Sequence, residues 1–258
     1  MTLYRDQLDN PSFRLAALDQ DFILSDEMRG TRFLLEYSKA EGLLRSWGIE
    51  STVVVFGSAR VSSESPRLSP RGPHRNWYKE AQAFGNLVSR RGGAGQRVEG
   101  KFFNVVATGG GGGIMEAANR GAAEAGAISI GFNIQLPFEP RPNSYSTPAL
   151  TLRFHYFALR KMHLAQRAAA LVAFPGGFGT LDELFEVLTL IQTRKAPRVP
   201  VVCIGREYWR KLINFDAMLE AEMISSDDME LLHFADDAEE AWEILINAGL
   251  RLPQAPRV

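Results

Sequence analysis

Phe174-Pro175-Gly176-Gly177-Phe178-Gly179-Thr180-Leu181-Asp182-Glu183 is the stretch from which the architecture of this chain can be read. The apolar run leading into it, residues 168–174, has the composition of a buried strand. After the glycines, Leu181, Leu184, Phe185, Leu188 and Ile191 recur at helical spacing. Strand, tight glycine turn and helix therefore follow one another. At such a junction several backbone N–H groups lie unpaired at the positive end of the helix dipole, and glycines put no Cβ in the way of an approaching anion. A phosphate suits that geometry. Thr180-Leu181-Asp182-Glu183 also matches a capping box, in which Thr180 and Glu183 each satisfy a backbone donor at the helix start. On these four residues alone both readings stand.

Working outward, residues 52–56 form a β-branched strand that ends at Gly57-Ser58-Ala59-Arg60. Gly57 and Ser58 then lie at a strand's carboxyl end, where open α/β sheets place ligands. Residues 61–75 are rich in Ser, Pro and Arg and read as a loop, made basic by Arg60, Arg67, Arg71 and Arg75. A helix over 77–91 and a strand over 102–107 lead to Gly109-Gly110-Gly111-Gly112-Gly113 and a helix from 114 to 125. Five glycines are entropically costly as a mere connector, so close approach of backbone to a ligand explains them better. Glu116, one turn into that helix, is either a partner for ribose hydroxyls or an exposed helix carboxylate. No register supplies the dinucleotide fingerprint with its ribose-binding acid, and the P-loop pattern is absent.

A third strand is expected over 127–132, and prolines at 137, 140, 142 and 148 keep the following segment extended along the pocket. A short strand over 150–154 precedes a helix on which Tyr156, Arg160, His163 and Arg167 share a polar face. Beyond the central motif come a strand over 199–204, a helix over 208–223, a strand near 231–234 and a helix over 236–247. Alternation of this kind implies an α/β fold, one doubly wound parallel sheet with right-handed crossovers. Ahead of it, residues 25–45 read as a helix with Ser25 as N-cap and an apolar stripe of Phe33, Leu34, Tyr37 and Leu44. The stripe needs a covering surface, either this chain's sheet or a neighbouring subunit. The expected organisation is an N-terminal helical extension over 1–50 with a surface-lying start, one domain over 51–248, and a loose tail over 249–258.

The chain has 258 residues and a net charge of −1, which gives no global basic field for nucleic acid. No apolar run approaches the roughly 20 residues that cross a bilayer, and the N-terminus lacks the layout of a secretion signal. Cys203, the single cysteine, sits in an apolar run and reads as a buried thiol of a protein from the reducing cytoplasm. His74, His155, His163 and His233 form no metal-spaced group, so no metal is expected. No Ser-His-Asp set or Gly-x-Ser-x-Gly stands out either. The groups left for chemistry are a carboxylate and a guanidinium.

With these residues in view, the sequence resembles the Lonely Guy family of nucleoside 5′-monophosphate phosphoribohydrolases. Its motif Pro-Gly-Gly-x-Gly-Thr-x-x-Glu is matched at every fixed position from Pro175 to Glu183. The family's Arg-Lys pair is matched by Arg160-Lys161, fifteen positions before Pro175 (175 − 160). The second glycine run, followed by Ile114-Met115-Glu116-Ala117-Ala118-Asn119, completes the likeness over residues 52 to 245, and Asn133-Ile134-Gln135-Leu136-Pro137 is similar to the long bacterial members. The resemblance implies a Rossmann-like nucleotide-binding catalytic domain without a cofactor. It also implies at least a homodimer with sites near the subunit interface, and cleavage of AMP or a cytokinin riboside 5′-monophosphate to free base and ribose 5-phosphate. Catalytic roles fall to Arg160 and Glu183. Gly112, Gly177, Gly179 and Thr180 hold the phosphate, within a substrate-binding set that also takes in Gly57, Ser58, Gly111, Gly113, Glu116, Lys161 and Gly176. The extra N-terminal helix, the arginine-bearing insertion before Phe102 and the glutamate at 116 depart from the short members and leave the base open.

Cleaving the bond between a base and C1′ of ribose passes through a cation-like sugar. A carboxylate beneath C1′ balances that charge or activates water, by analogy with glycoside hydrolysis. A rigid, permanently charged guanidinium orients the nucleotide and stabilises the departing base or the phosphate. Two other readings exist. Lysine decarboxylation, a label often given to this family, needs pyridoxal phosphate on a Schiff-base lysine, and the motif region offers only Lys161, beside an arginine. A nucleotide or molybdenum-cofactor carrier would use the same glycine turns without turnover.

Overall fold

The computed structural model describes residues 4–63, 76–136 and 141–253. Arg67, Arg71 and Arg75 of the basic loop, with Pro137 and Pro140, lie outside the described residues. Seven strands, β1 Thr52–Phe56, β2 Val105–Thr108, β3 Ser129–Ile134, β4 Thr151–Phe154, β5 Ala168–Ala173, β6 Val201–Ile204 and β7 Leu232–Ala235, make one sheet in the order β4-β3-β2-β1-β5-β6-β7. Every neighbouring pair is parallel. The chain builds outward from β1 to β4, then returns to lay β5 on the other side of β1. The winding therefore reverses between β1 and β5, and such a switch point opens a crevice at the strands' carboxyl ends.

A parallel sheet covered on both faces needs strands that are apolar throughout. β1 shows this: Val53 and Val55 join the core on one face, Val54 and Phe56 the core on the other. The helices are α1 Arg5–Asp9, α2 Gln20–Leu24, α3 Arg29–Ser46, α4 Trp77–Arg91, α5 Ile114–Glu124, α6 Phe157–Gln166, α7 Phe178–Gln192, α8 Arg206–Leu212, α9 Phe215–Glu220, α10 Ser226–Met229 and α11 Ala238–Asn247. Phe84, Ala118 and Trp242 bring α4, α5 and α11 to one face. Leu44, Leu164, Leu184 and Trp209 bring α3, α6, α7 and α8 to the other. Cys203 is fully buried between β-strand neighbours, as its apolar setting predicts.

Several expected boundaries move, each for a local reason. The strand expected from residue 102 begins at Val105, because Asn104 takes a left-handed conformation (φ 51°) and Phe102 makes only an isolated bridge with Ile49. The helix expected over 208–223 is two, α8 and α9, with Asn214 accepting the Ala217 N–H at 3.0 Å to start the second. Ser25 caps no helix with its side chain; a single 3-10 turn, Asp26–Met28, precedes α3. Leu34 is 62 % exposed and does not belong to the covered stripe of α3. That stripe is Phe33, Glu36, Tyr37, Ala40, Glu41 and Leu44, and its upper part lies on α6 of the same chain. The tail is not loose through Pro253: Leu250 is buried and the Arg251 carbonyl accepts from Asn104 at 2.8 Å. Residues 4–24 do lie on the surface, with none of the residues of α1 or α2 buried.

Candidate active site

Three turns meet at the switch point, following β1, β2 and β5, and Ser58 ties them together. Its N–H donates to the Pro175 carbonyl at 3.0 Å, and its carbonyl accepts from the Ile114 N–H at 3.1 Å. The central motif and the start of α5 are therefore both moored to the end of β1. Gly113 can make that approach only without a side chain, since its φ is +68° and a Cβ would stand 2.3 Å from the Ser58 oxygen. Gly57 is buried against Ile114 and fills a packing role.

α7 begins at Phe178, so Thr180 is its third residue and cannot be an N-cap; Gly177 holds that place with no side-chain cap. The capping-box reading is thereby excluded. Thr180 turns inward, its hydroxyl occupying the space that a Cβ on Gly176 would need, 2.1 Å away. No acceptor among the described residues meets the N–H groups of Gly177, Phe178 and Gly179, or those of Gly111 and Gly112. Nothing stands within 4 Å of a Cβ placed on Gly177 or Gly179, so this helix start opens to solvent. Two sets of N–H groups without an acceptor among the described residues thus stand at helix starts on the carboxyl side of the sheet.

Glu183, one turn into α7, is 3 % exposed, and its carboxylate receives the Arg160 guanidinium at 2.5 Å. Burial pushes the Glu183 carboxyl above its ordinary value against the opposing pull of Arg160 and Lys161. The same guanidinium reaches the other turn, its Nη1 standing 3.9 Å from where a Cβ on Gly109 would be, and lies over the Phe157 ring at 5.3 Å. Arg160 Nε is buried without an acceptor among the described residues. The shared polar face carrying Arg160, His163 and Arg167 is turned inward. His163 is buried beside Tyr37, Phe132 and Phe154.

Two expected binding residues are engaged elsewhere. Lys161 Nζ pairs with Asp182 at 2.7 Å and Glu186 at 3.1 Å. Burial alone would lower it, yet these carboxylates hold the ammonium above the usual lysine value. A Schiff-base lysine must shed that proton, so the residues present do not fit pyridoxal phosphate chemistry. Glu116 accepts the Tyr78 hydroxyl of α4 at 2.8 Å. Residues without any motif also shape the turns. Asn143 donates through its backbone to the Gly110 carbonyl at 2.9 Å and through Nδ2 to the Gly111 carbonyl at 3.0 Å. Tyr208 donates to the Gly176 carbonyl at 2.6 Å. Both draw carbonyls back from the crevice; the only sequence signal was that the proline-rich segment before 148 borders the pocket.

The chain matches known proteins by family model, by sequence and by fold. A family model described as "Possible lysine decarboxylase" matches residues 115–245. The cytokinin riboside 5′-monophosphate phosphoribohydrolase LOG3 of Arabidopsis thaliana is 29% identical over 175 residues, 67% of this chain and 75% of that protein. LOG1 of the same plant is 30% identical over 161 residues, 60% of this chain and 75% of that protein. Among solved structures, the molybdenum cofactor carrier protein of Chlamydomonas reinhardtii shares the fold at a TM-score of 0.50 and 21% identity, covering 77% of this chain and 98% of that one.

Proposed function

Because the chain belongs to the Lonely Guy family, we propose that it hydrolyses the N-glycosidic bond of a nucleoside 5′-monophosphate, AMP or a cytokinin riboside 5′-monophosphate, to free base and ribose 5-phosphate. The observation that carries this reading is the buried pair of Arg160 and Glu183, set between two helix starts with free backbone donors. The 5′-phosphate lies against the N–H groups of Gly111, Gly112, Gly177 and Gly179, where the dipoles of α5 and α7 favour negative charge. Thr180 and Ser58 border that cradle. Glu183, under C1′, balances the positive charge that builds on the sugar as the bond to the base lengthens, and takes a proton from the attacking water. The raised proton affinity that burial gives it brings this base nearer to neutral pH. Arg160 has an Nε–H with no acceptor among the described residues. A substrate oxygen or the departing base satisfies that donor, and the guanidinium stabilises the electrons the base carries away.

The test is release of free base from AMP and from an isopentenyl-type cytokinin nucleotide, with Glu183→Gln and Arg160→Ala alongside. Each variant is expected to lose about 10²-fold or more in rate. Undiminished release by both overturns the assignment of the pair; tight nucleotide binding with no release by the unaltered chain supports a carrier instead.

A further inference from the structure

The helix that carries Arg160 is held at both ends by carboxylates from a different helix. The N-cap of α6 is Tyr156, which offers no side-chain cap, and the first turn of α6 contains no acid. Glu36 of α3 binds the backbone just ahead of the helix instead. Its two carboxylate oxygens receive the His155 N–H at 2.8 Å and the Tyr156 N–H at 3.3 Å, placing negative charge at the positive end of the helix. At the other end the C-cap is Arg167, and Glu41 of α3 receives both of its terminal nitrogens at 2.9 Å. Between these points Phe33 stacks on Tyr156 at 4.1 Å, Tyr37 stacks on His163 at 5.4 Å, and Arg32 Nε donates to the Tyr156 hydroxyl at 3.1 Å. Burial alone gives no reason for two acids on the covered stripe of α3.

We propose that α3 is a splint that positions Arg160: it clamps α6 at both ends and so sets the guanidinium against Glu183, with Glu36 as the positioning residue at the nearer end. The inference rests on the reading of Arg160 and Glu183 as the catalytic pair. Transmission is short. The Arg160 N–H donates to the Tyr156 carbonyl at 3.3 Å, so one helical turn separates the capped end from the guanidinium. Without Glu36, two N–H groups lose their acceptor and the start of α6 is free to shift. Of the charges that act on Glu183, Arg160 and Lys161 ride on α6, whereas Glu186 lies on α7 with Glu183 itself. Displacing α6 therefore weakens the influences that favour the carboxylate, while Glu186 stays beside it on α7.

The experiment compares the full chain with Glu36→Ala, Glu36→Gln and the solvent-facing control Leu34→Ala. The pH titration of the Glu183 carboxyl carbon is followed by NMR, assigned by its loss in Glu183→Gln, and kcat and KM are measured for AMP. In Glu36→Ala the Glu183 midpoint is expected to rise by about half a pH unit, and kcat to fall about tenfold with KM changed less than about threefold. Glu36→Gln, which keeps one acceptor oxygen, is expected to lie between Glu36→Ala and the unaltered chain, and Leu34→Ala to match the latter. A merely structural role would reduce signal amplitude and leave the midpoint unmoved. No rise in either Glu36 variant overturns the proposal, and if Glu36→Ala fails to fold, Glu36→Gln decides alone. Should the unaltered chain release no base from any nucleotide, the hydrolase reading fails, and the carboxyl titration still decides whether Glu36 positions α6.

Discussion

Glu183 is an acid whose surroundings pull it two ways, and its pH behaviour follows from which prevails. Burial raises it above the ordinary carboxylate value of 4.5 despite Arg160 and Lys161. A raised folded value means the carboxylate is lost at a higher pH than usual, so the acid limb of kcat/KM is expected to lie above pH 4.5. A limb at or below that value would show that the pair, not burial, governs the group. The glycines beside it separate into two kinds. At Gly113 the φ of +68° and the Ser58 oxygen forbid a side chain, so Gly113→Ala should cost about 1–3 kcal/mol of stability. Gly177 has open space around it and an ordinary φ of −95°. Gly177→Ala should then leave thermal stability within about 0.5 kcal/mol of the parent while weakening ribose 5-phosphate binding, measurable by calorimetry. Equal losses of stability in the two variants would contradict the distinction.

Among the elements, α3 and α6 act as a unit, and their second clamp, Glu41 with Arg167, can be examined through stability. The Arg167 guanidinium, with Arg45, holds Glu41 down to about 2 although burial opposes it. A folded value below the ordinary 4.5 contributes stability that is complete above 4.5 and disappears as pH falls toward 2. Glu41→Gln is therefore expected to lower unfolding stability by roughly 1–3 kcal/mol at pH 7. The gap to the parent should close in urea titrations near pH 2. A gap that stays constant with pH would mean that the loss comes from packing alone. The polar face of α6 illustrates why an element's surroundings cannot be taken from its own periodicity. The spacing of Arg160, His163 and Arg167 gives a shared face, but whether that face meets water or another helix depends on α3, which is far away in sequence.

For the whole molecule, the surface is informative about assembly. Leu8, Phe13, Leu15, Leu18 and Leu24 of the N-terminal arm are exposed, and Phe178 at the mouth of the crevice is 92 % exposed. That much uncovered apolar surface favours association, and light scattering after size exclusion is expected to give at least twice the monomer mass; a clean monomer at micromolar concentration would count against it. Among the described residues no helix is long and apolar enough to cross a membrane. The order of strands and helices and the two glycine turns were legible in the sequence, encoded locally by periodicity and by residues without a Cβ, whereas Arg160 and Glu183 were singled out only by resemblance to the Lonely Guy family. Tertiary structure alone decided that Thr180 is inside α7 rather than its cap and that Lys161 answers to Asp182 and Glu186. It alone turned the acids of α3 inward to hold α6, and gave Asn143 the carbonyls of Gly110 and Gly111. These depend on partners brought together by the winding of the sheet, up to 126 positions apart for Glu41 and Arg167. A hydrogen bond across that distance leaves no period in the sequence by which it could be read.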